Sequence, residues 1–323
     1  MYLLKRLMYR EELVGATYLL GNIYVIAKGS FHVLVYTGHS PYDLTEKIFL
    51  DGINAVDIAT SYADICVYVL DDGNGRVSRI GQDHSISTAI DGLERGSLVS
   101  MSVTMDGRII IAKKDSEIST YGTDGSLISV VIAPLNYVSC AVEDAANTLV
   151  VCNETTVAKI THQGKPVWKD LFTITNDIRS VTMDRKGNLI ACESSRHDVI
   201  ELDPQSLQTT ATLLTVNRDG IENPHHVQYV LENGLMLVSW MNFLDVYSFR
   251  QTDTRGYLAS SEHDIREQQT LEARMLEGQI AHTNDDFIKL VEFYKRSGKG
   301  DILSDLPPEP QESELPAASS LGT

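Results

Sequence analysis

The sequence predicts an all-β fold, a six-bladed β-propeller of four-stranded blades. Three observations carry this: a repeat of about 40 residues, an almost unbroken apolar segment at the same place in each copy, and Gly, Asn and Asp turns between segments. The clearest copies begin at Val99 (VSMSVTMDGRIIIAKKDSEISTY), Val138 (VSCAVEDAANTLVVCNETTVAKI) and Ile178 (IRSVTMDRKGNLIACESSRHDVIEL). Residues 56–90 fit the same frame, and weaker copies begin at Leu13 and His226. Successive starts lie 43, 43, 39, 40 and 48 residues apart. That is the period of propeller blades, and the segments lack the 3.6-residue periodicity of helical repeats.

Each element follows from its pattern. The second segment of every copy (IYVIA, CVYVL, RIIIA, TLVVC, NLIAC, LMLVS) is nearly all apolar, as a strand covered on both faces by neighbouring blades must be. The sixth copy stops after its third strand near Ser248–Arg250, while MYLLKRLMYR stands before the first copy. Tyr2–Met8 is therefore expected to supply the outermost strand of the sixth blade and close the ring. Residues 1–252 read as the propeller. Residues 253–298 carry helix signals: Ser261 as an N-cap, then Asn284 as an N-cap before Asp285 and Asp286, an apolar face of Phe287, Leu290, Val291 and Tyr294, and Gly298 as a stop. This helical extension either packs on the propeller rim or binds a partner. Residues 299–323, rich in Pro, Glu and Ser, read as a disordered tail.

Composition narrows the partners. With 27 Lys and Arg against 44 Asp and Glu, the net charge of −17 repels phosphate backbones and anionic membranes at long range. DNA and membrane surfaces are excluded as general partners. No apolar run approaches the roughly 20 residues of a membrane span, and the start lacks the apolar core of a secretory leader, so a cytoplasmic protein is expected. Cys66, Cys140, Cys152 and Cys192 have no zinc-site spacing, and Cys66, Cys152 and Cys192 lie in apolar runs as small buried hydrophobes. A Cys140–Cys152 bridge would require an oxidising compartment.

The stretch DDGNGRVSRI, residues 71–80, fails as a calcium loop because Arg76 and Val77 stand where a further ligand and the sharp-turn glycine belong. It fails as a dinucleotide loop because strand residues follow it. It reads as a turn between strands. Asn54, Asp177, His225 and His226 stand at blade starts, where they would line the central channel. A divalent metal held by Asn54, Asp177 and His226 competes there with plain polar lining, and no metal or cofactor is assigned. Neither G-x-S-x-G nor a Walker sequence is present, so the chain carries no enzyme signal.

Propeller strands alternate in direction, so the loop that starts each blade and the loop between its second and third strands share one face. That face gathers Asp71, Asp72, Lys113, Lys114, Glu193, Arg196, Trp240, Met241 and Phe243. Its second-to-third loops hold four basic residues (Lys28, Lys113, Lys114, Arg196) and five acidic ones (Asp71, Asp72, Asp115, Glu154, Glu193). This balance favours a protein or peptide ligand over RNA. Trp240, Met241 and Phe243 either anchor such a ligand or fold into the blade interface.

The segment DICVYVLDDGNGRVSRI, with its acidic pair, Asn74, Arg76 and Val77, resembles an NHL repeat. Residues 13–250 are similar to the propellers that end tripartite-motif ubiquitin ligases and to stand-alone animal NHL-like proteins, although only the second blade keeps the Asn–Arg pair. The resemblance implies a non-enzymatic module for protein interaction or substrate recognition in ubiquitin-ligase-type pathways, without the RING and B-box zinc ligands of that family. Two alternatives stay open: an RNA-binding NHL propeller, and a metal-dependent lactonase or lyase. Gluconolactonase-like propellers use an early Glu as a metal ligand, and no Glu stands at a matching blade start here.

Overall fold

Turns rich in Gly, Asn and Asp reverse the chain after each apolar run and fold it into six antiparallel four-stranded sheets. The computed structural model describes residues 1–248 except 145, 154, 168–171, 174–176, 185, 231 and 232, with residues 172 and 173 described as backbone alone. Strand β1 spans Tyr2–Met8. The first blade comprises β2 (Leu13–Leu19), β3 (Asn22–Ala27), β4 (His32–Thr37) and β5 (Leu44–Phe49). The second has β6 (Ala55–Ser61), β7 (Cys66–Asp71), β8 (Arg76–Ile80) and β9 (Ile86–Ile90). The third has β10 (Leu98–Val103), β11 (Ile109–Lys113), β12 (Glu117–Tyr121) and β13 (Leu127–Ile132). The fourth has β14 (Cys140–Glu143), β15 (Leu149–Cys152), β16 (Thr156–Ile160) and β17 (Phe172–Thr173). The fifth has β18 (Ile178–Met183), β19 (Leu189–Glu193), β20 (Asp198–Leu202) and β21 (Thr209–Leu214). The sixth has β22 (Pro224–Val230), β23 (Leu235–Trp240) and β24 (Phe243–Ser248), with β1 as its outer strand, in the order β1-β24-β23-β22.

The second strands are the driest part of the molecule: every residue of β7, β15, β19 and β23 is buried. Their side chains pack across blade boundaries. Ile110, Ala112 and Ile118 of the third blade, for example, share a cluster with Ala141, Leu149 and Val151 of the fourth. Burying such side chains, at about 1.5–3 kcal/mol each, is the main force that holds blade to blade.

The inner strands pack side by side around the ring, the sixth against the first included. A side-chain hydrogen bond ties each of the six seams. Thr60 Oγ1 donates to Tyr18 O at 2.9 Å, and the Met101 N–H donates to Asp57 Oδ2 at 2.7 Å. Ser102 Oγ donates to Ala141 O at 2.8 Å and Ser139 Oγ to Ile178 O at 2.7 Å. The Val227 N–H donates to Ser180 Oγ at 3.2 Å, and His225 Nε2 donates to Leu13 O at 2.7 Å.

The sixth blade joins the two ends of the propeller chain. β1 pairs with β24 from Tyr2 opposite Ser248 to Met8 opposite Phe243. Arg6 clamps the join: its Nε and Nη2 donate to the two oxygens of fully buried Asp245, each at 2.7 Å. Trp240 Nε1 and the Tyr247 hydroxyl, both at 3.1 Å, also donate to Asp245 Oδ2. Asp245 thus anchors a strand that lies 239 residues away in sequence. The expected helices of 253–298 and the tail of 299–323 lie outside the described residues. Among the described residues no helix is long and apolar enough to cross a membrane.

Candidate interaction face

The loops gathered on one face are mostly committed to structure. Asp71 is fully buried, and its Oδ1 accepts the N–H groups of Asn54 (2.9 Å), Gly73 (3.1 Å) and Asn74 (3.2 Å). Its Oδ2 accepts from Asn74 Nδ2 at 2.7 Å and Arg76 Nε at 3.2 Å. Asp71 is therefore the hub of its turn, with its lone pairs filled by this chain. Asp72 Oδ1 accepts the Leu98 N–H at 3.0 Å and so ties the second blade to the third. Lys113 is paired with Glu117 at 2.5 Å, which holds the Glu117 carboxyl below its usual range. Lys114 is exposed and donates to Gly96 O at 2.8 Å. Glu193 is buried, whereas Arg196 is exposed on the short turn Ser194–Arg196. Glu154 lies outside the described residues.

Of the two alternatives for Trp240, ligand anchor or burial in the blade, the structure shows burial. Trp240 is 5% exposed. It stacks on Phe243 with ring centroids 4.4 Å apart, and the Arg6 guanidinium lies 4.8 Å from its ring centroid. The indole and the Asp245 carboxylate are buried beneath the partly exposed Arg6 guanidinium, so the tryptophan stabilises ring closure instead of facing a ligand.

Met241 alone of the three points outward. It is 45% exposed and sits at the tip of the β23–β24 hairpin with φ of 49°. A left-handed conformation costs a non-glycine residue about 1 kcal/mol or more, and hairpin tips usually give it to Gly or Asn. The same end of the sixth and first blades exposes three more large apolar side chains, Met8 (74%), Phe31 (51%) and Phe49 (55%). Backbone hydrogen bonds link them into one rim. The Tyr9 N–H donates to Asn242 O at 2.8 Å, Leu13 N–H to Met241 O at 2.9 Å, Lys28 N–H to Glu12 O at 2.8 Å and Leu50 N–H to Phe31 O at 2.7 Å. Phe49 also meets the His32 ring edge-on at 5.4 Å. The Lys28–Glu12 charge pair on this rim, at 3.1 Å, is exposed and weak. Sequence reasoning missed Met8, Phe31 and Phe49 because each stands alone in its own segment and only strand pairing brings them to one edge.

The channel residues sit deeper. β-bulges in five inner strands bring Gly15, Asp57, Ser100, Ser180 and His226 to equivalent positions. His226 is 8% exposed and directs Nε2 to Asp57 Oδ1 at 3.5 Å. Its ring lies so close to Gly15 that an added Cβ there would come within 2.8 Å of it. Burial, with the neighbouring His226 adding to it, pushes the His225 imidazole below its usual pKa. Asp177 Oδ2 is bound to Arg179 Nε at 2.7 Å and Nη2 at 2.6 Å, while Asn54 is exposed at the start of the second blade. No group of three or more His, Cys, Asp or Glu that could hold a metal ion occurs among the described residues.

At the opposite end of the blades an open, polar recess of about 340 Å³ is lined by Asp64, Tyr68, Arg79, Thr88, Ala89, Thr123 and Asp124. Asp64 and Asp124 are held by their own neighbours, through Ser61 and Tyr68 in one case and Ser126 in the other. A separate apolar strip, Leu127, Ile128, Val130 and Ile132, runs along the outer strand β13.

No described protein family matches this sequence, and no curated protein matches it. Solved structures do. The chain is similar to the WD40 β-propeller domain of Doa1 at 12% identity and a TM-score of 0.57, covering 77% of this chain and 97% of that one. It is similar to virginiamycin B lyase from Staphylococcus aureus at 14% identity and a TM-score of 0.55, covering 77% and 89%. A Bacteroides caccae protein of unknown function is similar at 11% identity and a TM-score of 0.56, covering 67% and 81%. At such identities the likeness is one of fold, and the neighbours include both a WD40 propeller domain and a lyase.

Proposed function

We propose that this chain is a non-enzymatic propeller that captures a protein or peptide ligand on the rim where its ring closes. The observation that carries the proposal is the exposure of Met8, Phe31, Phe49 and Met241 along one hydrogen-bonded edge, with Met241 displayed on a left-handed hairpin tip. Exposed apolar groups gathered at one edge mark interaction sites, and the flexible thioether of methionine adapts to apolar partners. The acidic balance of the chain favours a polypeptide over RNA. The NHL-like turn of the second blade adds a finer reading, in which the ligand is a substrate handed to a ubiquitin ligase whose catalytic zinc domains lie outside this sequence.

Affinity purification with the wild-type chain and with a Phe31→Glu/Met241→Glu double variant tests this. Both substitutions fall on exposed side chains, so the melting temperature should stay within a few degrees while partner recovery drops at least tenfold. Equal recovery by a folded double variant would remove the rim from the account. A steep loss of single-stranded RNA binding with rising salt would favour the RNA reading, and stoichiometric calcium or zinc in the purified protein would favour the lactonase or lyase reading.

A further inference from the structure

The fourth blade holds two cysteines face to face. Cys140 on β14 stands directly opposite Cys152 on β15 in the strand register, and both thiols are free and buried. They share one apolar cluster with Val150, Val157 and Ile178. Residues directly opposite in an antiparallel pair have Cα atoms about 4.5–5.5 Å apart, within the range of roughly 4.4–6.8 Å that a disulfide spans. Cys192 occupies the position equivalent to Cys152 in the next blade but belongs to a different cluster, packed toward the sixth blade. Cys66 lies in the second blade.

We propose that Cys140 and Cys152 are a latent cross-strand disulfide that closes by exchange with oxidised glutathione when this strand pair opens. The fourth blade is where opening is easiest. β14 and β15 have four residues each, against five to seven in the inner two strands of every other blade. Fewer ladder hydrogen bonds mean a lower free energy of local opening. In the closed state both thiols are buried out of reach of glutathione, so the pair does not react until β14 and β15 separate, and burial also pushes the Cys152 thiol well above its ordinary pKa.

The exchange then balances in two steps. The Cys140 thiolate attacks one sulfur of oxidised glutathione, forming a mixed disulfide and releasing one glutathione thiolate. The Cys152 thiolate attacks the Cys140 sulfur and releases the second glutathione. Two protein thiols have lost two protons and two electrons, and one oxidised glutathione has become two reduced molecules. The product staples β14 to β15, the shortest inner strand pair among the six blades.

The test uses the full chain, equilibrated in glutathione buffers from fully reducing to fully oxidising, quenched in acid, alkylated in denaturant and mapped by mass spectrometry. The expected result at the oxidising end is two protected thiols in a single Cys140–Cys152 linkage, with a melting temperature raised by about 4 °C or more. A Cys192→Ser variant should form the same linkage. Four alkylated thiols at the oxidising end, glutathione adducts without a protein linkage, or a linkage through Cys66 or Cys192 would each overturn the proposal.

Discussion

Asp245 shows how one buried carboxylate organises a distant strand. It is fully buried, receives both arms of Arg6, and also serves Trp240 and Tyr247. Removing one partner of such a pair leaves the other uncompensated. Because Arg6 keeps 33% of its side chain exposed, Asp245→Ala is expected to cost about 3 kcal/mol, near the low end for buried pairs. Urea unfolding measures it, and a change under 1 kcal/mol would refute the anchoring role. His225 gives a pH prediction. Its native pKa is depressed, so below about pH 6.5 the unfolded chain binds a proton that the native chain refuses. Stability should therefore be flat between pH 7 and 8 and fall as pH drops through 6.5, by at most about 1.4 kcal/mol per unit from this group. A second decline follows near pH 4 and below. There Asp144, held below the usual carboxylate range by the buried Lys159 and the Thr148 N–H despite a burial that pushes it up, takes up its proton. Melting curves at half-unit steps would show both limbs, and His225→Gln should erase the first alone. At this scale the sequence misleads in instructive ways. Trp240 stands in a loop-like context, yet it packs with Val199, Leu214 and Tyr247 beneath Arg6, partners that no local pattern around it reveals. Asp71 looks like a surface ligand, but Asn54 from the preceding connection helps fill its lone pairs.

The strands are the most legible elements, because propeller geometry buries whole segments and leaves a compositional trace. All six apolar runs read from the sequence lie in second strands: β3, β7, β11, β15, β19 and β23. The outer strands are less legible. β5, β9, β13 and β21 are largely exposed, each with a single buried residue, so their composition resembles that of the loops around them. β1 is an outer strand with the same ambiguity, yet the missing fourth strand of the sixth repeat points to it. Deleting residues 1–8 would expose the β24 edge and strip Asp245 of Arg6. The melting temperature should fall by about 10 °C or more, and an unchanged value would contradict β1 as a structural strand. The inner strands carry a polar code that the repeat does not announce. Thr60, Asp57, Ser102, Ser139, Ser180 and His225 differ in type, but each bonds across its seam.

Across the whole molecule, architecture and function are read with different ease. Architecture repeats six times and is averaged over many residues, whereas the rim proposed to bind a ligand is assembled once, from single residues in segments 1–10, 28–32, 44–49 and 241–243. Its site is therefore visible only after the ring closes. The rim lies at the junction of the first and last blades, so a ligand seated there would bridge both and should protect the closure as it binds. Hydrogen–deuterium exchange of the propeller, alone and with its captured partner, tests this most directly. The account predicts slowed exchange confined to residues 8–13, 28–32, 49–50 and 240–243. Protection at the opposite end, around Asp64 and Asp124, or within the central channel around Gly15, Asp57 and His226, would contradict it.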